Sequence, residues 1–213
     1  MYAISLTTIP PRYPTLPRVL AALVAQVPQP DAIFLTVPRR FARFDTAPLP
    51  ALPFEVTLLQ PETDAGPIAK LLPAAWKYDG DILICDDDWL YPPGWAARFI
   101  AAREEHPDAV IAGSSWGSER IGYRGGTILQ GFAGALVPAR VARQIPHPPE
   151  AARYVDDVWI SAQLARLGVP VHTLGKAAPP AMPLDDPGAL QSRSDRDRAN
   201  RDAAGAVDVW EKL

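Results

Sequence analysis

The chain has 213 residues, of which 48% are apolar and 21% charged, with a net charge of -3. That is enough apolar material for one cored domain and too ordinary a composition for wholesale disorder, and the mild acidity argues against a protein that binds nucleic acid by neutralising phosphates. The one cysteine, Cys85, excludes an internal disulfide framework and a Cys-rich zinc site.

Short apolar runs alternate with helical patterns along the chain. Ala3 to Thr7 reads as a first strand, and Pro10, Pro11 and Pro14 make a stiff loop after it. Leu16, Leu20, Leu23 and Val24 recur at helical spacing, with Pro17 suited to a first turn. Residues 32–37 and 54–59 read as strands, separated by a Pro- and Arg-rich loop over 38–53. Gly66-Pro67 opens a short helix with Ile68, Leu71, Leu72 and Ala75 on one face. Asp81 to Cys85 is apolar after its first residue, the pattern of a strand buried on both faces in a parallel sheet. Pro92-Pro93-Gly94 leads into a helix from Trp95 to Glu105.

Residues 109–113 form another strand, and the Gly- and Ser-rich stretch 114–130 reads as a mobile loop, with Ser114 to Gly126 a candidate lid. Ala135 to Val137 is a strand, 156–167 a helix closed by Gly168, and 169–174 a last strand. Residues 176–191 read as a Pro-rich loop and second candidate lid. In the tail, Ala199, Ala203, Val207 and Trp210 share one helical face. The alternation predicts an α/β sheet, parallel in its first half. No stretch approaches the roughly 20 apolar residues of a membrane span, and Met1 to Ser5 lacks the start of a signal peptide. A soluble cytoplasmic protein is expected, with peripheral membrane attachment left open.

The chemistry concentrates in acidic motifs. Asp86-Asp87-Asp88 directly follows the buried strand, and ligands of open α/β sheets bind outside the carboxyl ends of strands. Three adjacent carboxylates repel one another, and a hard cation relieves this; Asp86 and Asp88 form a D-x-D pair suited to Mg²⁺ or Mn²⁺ against a diphosphate. The plain reading is a solvated acidic turn. Val155-Asp156-Asp157 opens a helix, where the helix dipole favours an ionised acid. Asp156 suits an N-cap and Asp157 a base that takes a proton from a hydroxyl. Gln130 to Ala135 places two glycines three apart, giving either a ligand-approaching turn or an ordinary one. Lys70 stands one turn into the helix after Gly66, where it meets a phosphate or is simply solvated. Trp95 is expected in the core; Trp89, Tyr91 and Trp159 are either core or a sugar-stacking platform. His106, His147 and His172 carry no motif.

Together these residues resemble small bacterial glycosyltransferases of the GT-A fold, near glycosyltransferase family 2. The opening from Ile4 through Thr7, Thr8, Ile9 and Pro10-Pro11 to Arg12 looks like the family's first strand and nucleotide-contacting loop. Asp86-Asp87-Asp88 looks like its D-x-D motif, Gly131 to Gly134 like its acceptor-side loop, and Val155-Asp156-Asp157 like its x-E-D motif with Asp for Glu. Asp64 to Leu71 and the tail from Arg198 to Trp210 resemble segments of bacterial relatives.

The resemblance implies a GT-A catalytic domain over 1–175, a Rossmann-like mixed sheet flanked by helices. A Pro-rich loop and C-terminal helix over 176–213 would pack on it. It implies transfer, with inversion, from a nucleotide-diphosphate sugar to a hydroxyl of a saccharide or glycolipid, with a UDP-sugar the favoured donor. Mn²⁺ or Mg²⁺ would sit on Asp86 and Asp88, the donor would contact Thr7, Thr8, Ile9, Arg12, Lys70 and Asp87, and Asp157 with Asp156 would serve catalysis. No late histidine is available as a further metal ligand; water, the diphosphate, Asp185 or Asp186 would complete the shell. A non-catalytic nucleotide- or carbohydrate-binding module and a sugar nucleotidyltransferase are the alternatives, the latter disfavoured because no Gly-rich basic loop follows the first strand.

Overall fold

The computed structural model describes residues 1–175, 181–184 and 196–213. Its central sheet runs in the order β11-β6-β10-β4-β1-β2-β3. The strands are β1 (Tyr2–Thr7), β2 (Ala32–Thr36), β3 (Val56–Leu59), β4 (Asp81–Ile84), β6 (Val110–Ala112), β10 (Ala135–Pro138) and β11 (Val171–Thr173). Between them in the chain lie the small strands β5 (Trp89–Leu90), β7 (Ser115–Gly117), β8 (Tyr123–Arg124) and β9 (Thr127–Leu129). Two more, β12 (Met182–Pro183) and β13 (Glu211–Lys212), follow. β1 pairs in parallel with β2 and β4, β2 with β3, and β6 with β11. Only β10 runs against its neighbours β4 and β6 in this sheet.

Side chains of β1 and β4 alternate between two apolar layers, as the period of a strand requires. Ile4, Leu6, Leu83 and Cys85 pack on one face with α1 (Leu16–Val24) and with Trp95 and Phe99 of α3 (Trp95–Glu105). Ala3, Ile82 and Ile84 pack on the other with α2 (Leu72–Ala75), α4 (Ala139–Ala142) and α5 (Asp156–Arg166). Both faces of the sheet are thus covered, which explains why β4 reads as a continuous apolar run.

Four local expectations are corrected. Residues 66–75 form not one helix but a 3-10 turn, Gly66–Lys70, followed by α2. The stretch 114–130 is not a mobile loop. β7 and β9 pair across it, Ser118–Ile121 forms a 3-10 turn, and Ile121, Ile128 and Leu129 are buried in the core. The third strand starts at Val56, and Phe54 before it is fully exposed. The tail helix α6 (Arg196–Gly205) stops before Val207 and Trp210. Trp210 is nonetheless buried, edge-on to Tyr123, and the chain then pairs β13 with β8. Within the second candidate lid, residues 181–184 place β12 against β5, while Lys176 to Pro180 and the candidate ligands Asp185 and Asp186 lie outside the described residues. Among the described residues no helix is long and apolar enough to cross a membrane.

Candidate functional site

The carboxyl ends of β1, β2 and β4 open onto a cavity of about 330 Å³. Because β10 is reversed, Ala135 stands opposite Ile84, and the turn that precedes it arrives at the same edge as Asp86-Asp87-Asp88. Of the residues expected at the site, these line the cavity: Thr7, Thr8, Ile9 and Arg12 from the end of β1; Lys70; the three aspartates after β4; and Asp156 and Asp157 from the start of α5.

Two cations organise the acids. Lys70, only 2% exposed, bridges Asp86 Oδ1 at 2.5 Å and Asp156 Oδ2 at 2.9 Å. It thereby ties the D-x-D turn to the head of α5. Burial works against the Lys70 charge, but Asp156 and Asp86 outweigh it and hold the ammonium well above the ordinary lysine range. Arg12 reaches Asp87 Oδ1 at 2.5 Å and Asp88 Oδ2 at 2.9 Å. Burial pushes both carboxyls up, Asp88 to about 6, with Arg12 opposing the rise in each case. Among the described residues, Asp88 Oδ1 is buried with no hydrogen-bond partner.

The backbone of the acidic turn is fixed by Tyr91, which is neither a stacking platform nor a plain core residue. Its hydroxyl accepts the Asp86 N–H at 2.9 Å and faces the Asp86 and Phe132 carbonyls, each at 3.1 Å. Trp95 is in the core as expected, and its Nε1 donates to the Ala133 carbonyl at 3.1 Å. Trp89 stacks on Phe132, ring centroids 4.4 Å apart, and Trp159 is buried, donating to the Pro146 carbonyl. Thus β5 and α3 hold the Gly131–Gly134 turn against the acids.

At the head of α5 the structure corrects two expectations. Val155, not Asp156, is the N-cap, and the Asp156 carboxylate is turned to Lys70. Asp157 is not held ionised by the helix end. Burial first, and then the neighbouring Asp156 charge, raise its carboxyl to about 8, against the pull of Lys70. Asp157 Oδ1 accepts the Gly131 N–H at 2.9 Å. The chemical result is a carboxyl that holds its proton more tightly than an ordinary aspartate, because its surroundings disfavour the charge.

Gly131 is required by close approach. A Cβ there would lie 2.5 Å from Lys70 Nζ and 3.0 Å from Asp157 Oδ1. The lysine cannot swing away without leaving the buried Asp156 and the half-buried Asp86 carboxylates. Gly131→Ala is therefore expected to lose about 1–3 kcal/mol of stability, read from the urea midpoint; a midpoint equal to wild type would show that the cavity floor yields freely.

Several lining residues were not expected at the site. Phe41, Arg43 and Phe44 come from the 38–53 loop, Tyr154 from the approach to α5, and Ala199 and Asn200 from α6. They belong to segments whose composition reads only as loop or amphipathic helix. None of the three histidines lines the cavity; His106 and His172 stack on each other, centroids 3.7 Å apart. Among the described residues no three Asp, Glu, His or Cys side chains gather into a ready metal cage.

No family model matches the chain, and no curated protein matches it. Solved structures do. The crystal structure of S. aureus TarS 1-349 superposes with a TM-score of 0.56 at 13% identity, covering 86% of this chain and 60% of that one. Its complex with UDP gives 0.58 at 12% identity, covering 87% and 61%. The complex with UDP-GlcNAc gives 0.59 at 11%, covering 90% and 61%. The chain spans about 60% of the length of these structures. The fold is the GT-A glycosyltransferase fold, as the mixed seven-stranded sheet and this likeness show.

Proposed function

We propose that the chain is a glycosyltransferase that moves a sugar from a nucleotide-diphosphate sugar to a hydroxyl acceptor. The observation that carries this is the meeting, in one cavity at the carboxyl edge, of Asp86-Asp87-Asp88 with Asp156-Asp157, Lys70 joining Asp86 to Asp156. A UDP-sugar is the favoured donor, since the TarS neighbours are solved with UDP and UDP-GlcNAc.

The donor set fits a hard divalent ion. Four carboxylates, Asp86, Asp87, Asp88 and Asp156, outnumber Lys70 and Arg12 beside them, leaving excess negative charge, and among the described residues Asp88 Oδ1 is buried without a hydrogen-bond partner. Asp88, with Asp86 beside it, would hold Mn²⁺ or Mg²⁺, with phosphate and water completing the shell. When bound, such an ion supplies positive charge against the diphosphate leaving group.

The remaining work falls to the chain. Thr7, Thr8, Ile9 and Arg12 would contact the nucleotide, and Arg12 would hold the Asp87-Asp88 turn in place. Lys70 keeps Asp86 and Asp156 fixed. Asp157, once ionised, takes the proton of the acceptor hydroxyl while its oxygen bonds to the anomeric carbon. The bond from that carbon to the diphosphate oxygen breaks on the opposite side, so the anomeric centre inverts and the nucleoside diphosphate leaves. The acceptor would be a saccharide or glycolipid hydroxyl, as in polysaccharide or glycolipid assembly.

The deciding experiment is thermal unfolding with UDP, GDP, CDP, ADP or dTDP, each with and without Mn²⁺. One nucleotide is expected to raise Tm in a metal-dependent way; at a hundred times its Kd, stabilisation is about 2.7 kcal/mol. Asp88→Asn is expected to keep the unliganded fold and lose the metal-dependent part of the shift. No shift with any nucleotide at millimolar concentration would overturn the donor assignment. Slow release of sugar from the matching donor separates a transferase from a mere binding module.

A further inference from the structure

Asp64 stands on the rim of the cavity and has no part in the chemistry proposed above. We infer that it is a positioning residue, locking three walls of the donor cavity into one geometry. As to the ligand, this rests on the glycosyltransferase reading; as to the structure, it rests on hydrogen bonds. Asp64 Oδ2 accepts the Ala42 N–H at 3.0 Å, and Oδ1 accepts the Gly66 N–H at 2.8 Å. Its backbone carbonyl accepts Arg153 Nη2 at 2.8 Å. One residue thus gathers the loop after β2, the turn before Lys70 and the approach to α5.

Each tie controls something in the cavity. Ala42 lies between Phe41 and Arg43, which both line it. The Arg43 guanidinium sits 5.2 Å from the Phe44 ring centroid and 5.1 Å from that of Tyr154, so the loop leans across the opening onto the α5 side. Gly66 has a φ of +73°, and a Cβ on it would lie 2.5 Å from the Arg153 carbonyl oxygen. The turn it opens ends at Lys70, the cation between Asp86 and Asp156. A shift at Asp64 therefore moves both the aromatic wall and the lysine.

The residue type follows from the chemistry. A short carboxylate offers two accepting oxygens to two N–H groups that point at it, whereas an amide offers one oxygen and sets its own donors against the second N–H. A misplacement of about 1 Å at a positioning group can cost on the order of a hundredfold in rate.

The test uses Asp64→Asn and Asp64→Glu, with Arg153→Ala as a variant that cuts the third tie, together with the Arg153 contacts to Glu150 and Tyr154, and leaves both carboxylate bonds of Asp64 in place. Amide hydrogen exchange and the Kd for UDP with Mn²⁺ are measured on each folded protein. In Asp64→Asn the Ala42 and Gly66 amides are expected to exchange about tenfold faster, and the Kd to rise about tenfold. Asp64→Glu recovers part of both, and Arg153→Ala raises the Kd by a smaller factor without exposing Ala42. Unchanged exchange at both amides would overturn the inference. So would a Kd within about twofold of wild type despite faster exchange. If the wild type binds no UDP, the donor reading falls, and the exchange of Ala42 and Gly66 still decides whether Asp64 holds the walls.

Discussion

Replacing Lys70 by methionine is expected to cost about 3–5 kcal/mol of folding stability, more than any other single change in the cavity. Methionine fills similar space, so the loss is not one of packing. It arises because Asp86 and Asp156 lose the cation between them, and one member of a buried ion pair left alone keeps its desolvation cost with nothing to offset it. The check is urea denaturation of the variant beside Asp156→Asn and the double substitution. The double variant should be more stable than Lys70→Met alone, because removing a stranded charge relieves the penalty. Strict additivity of the two losses would mean that Lys70 and Asp156 do not interact. Activity should vanish with Lys70→Met even where the protein is still folded, since both acidic motifs then lose their common anchor.

Asp157→Asn is expected to lower kcat about a thousandfold, within the range that a positioned general base contributes. Nucleotide affinity should stay within a small factor, because the change is isosteric and leaves Thr7, Thr8, Ile9 and Arg12 in place. Loss of nucleotide binding instead would make Asp157 a structural residue of the α5 head. The pH dependence carries the sign. The folded-state carboxyl is raised to about 8 while an unperturbed one titrates near 3.8. Its favourable proton binding is fully present below the unfolded value and is lost as pH climbs through the folded one. The wild type should therefore lose stability relative to Asp157→Asn between pH 4 and 8, visible as a growing Tm advantage of the variant. Activity runs the other way: kcat/KM should rise with pH, pass its half-maximal value near 8 and level off above it, as the base ionises. A flat kcat/KM profile over this range would remove Asp157 from the proton transfer.

The sequence discloses the acids more readily than their partners. Asp86 to Asp88 are legible because β4, buried on both faces, must read as an unbroken apolar run, and a charge cluster at its end has few structural uses. Lys70 is ambiguous in sequence, since a lysine on a short turn is equally well solvated. What buries it is the arrival of the Gly131 turn, which comes from a strand 65 residues later and leaves no periodic trace at Lys70. The β7–β9 hairpin hides for a different reason. Its strands are three residues each, too short for an alternation to emerge from a Gly- and Ser-rich background. The cap at α5 fails by one position because Asp156 has a stronger partner than the helix end: a full charge at 2.9 Å outweighs a fractional dipole. The same competition misplaces the charge state of Asp157, where burial overrides the dipole.

The reversed strand β10 also bears on how such a site can diversify. A wholly parallel sheet surrounds its carboxyl edge with segments that leave strands, each register set upstream of the loop it feeds. β10 contributes a segment that enters a strand, so its register is set downstream, by the pairing of Ala135 with Ile84 and of Leu136 with Leu83. Residues inserted between β9 and Gly131 would be paid out away from that anchor. They could remodel one bank of the cavity while β1 and β4 on the other keep their alignment. The two banks of the cavity are thus mechanically separable in this architecture, and loops grafted ahead of Gln130 would reshape one without disturbing the other.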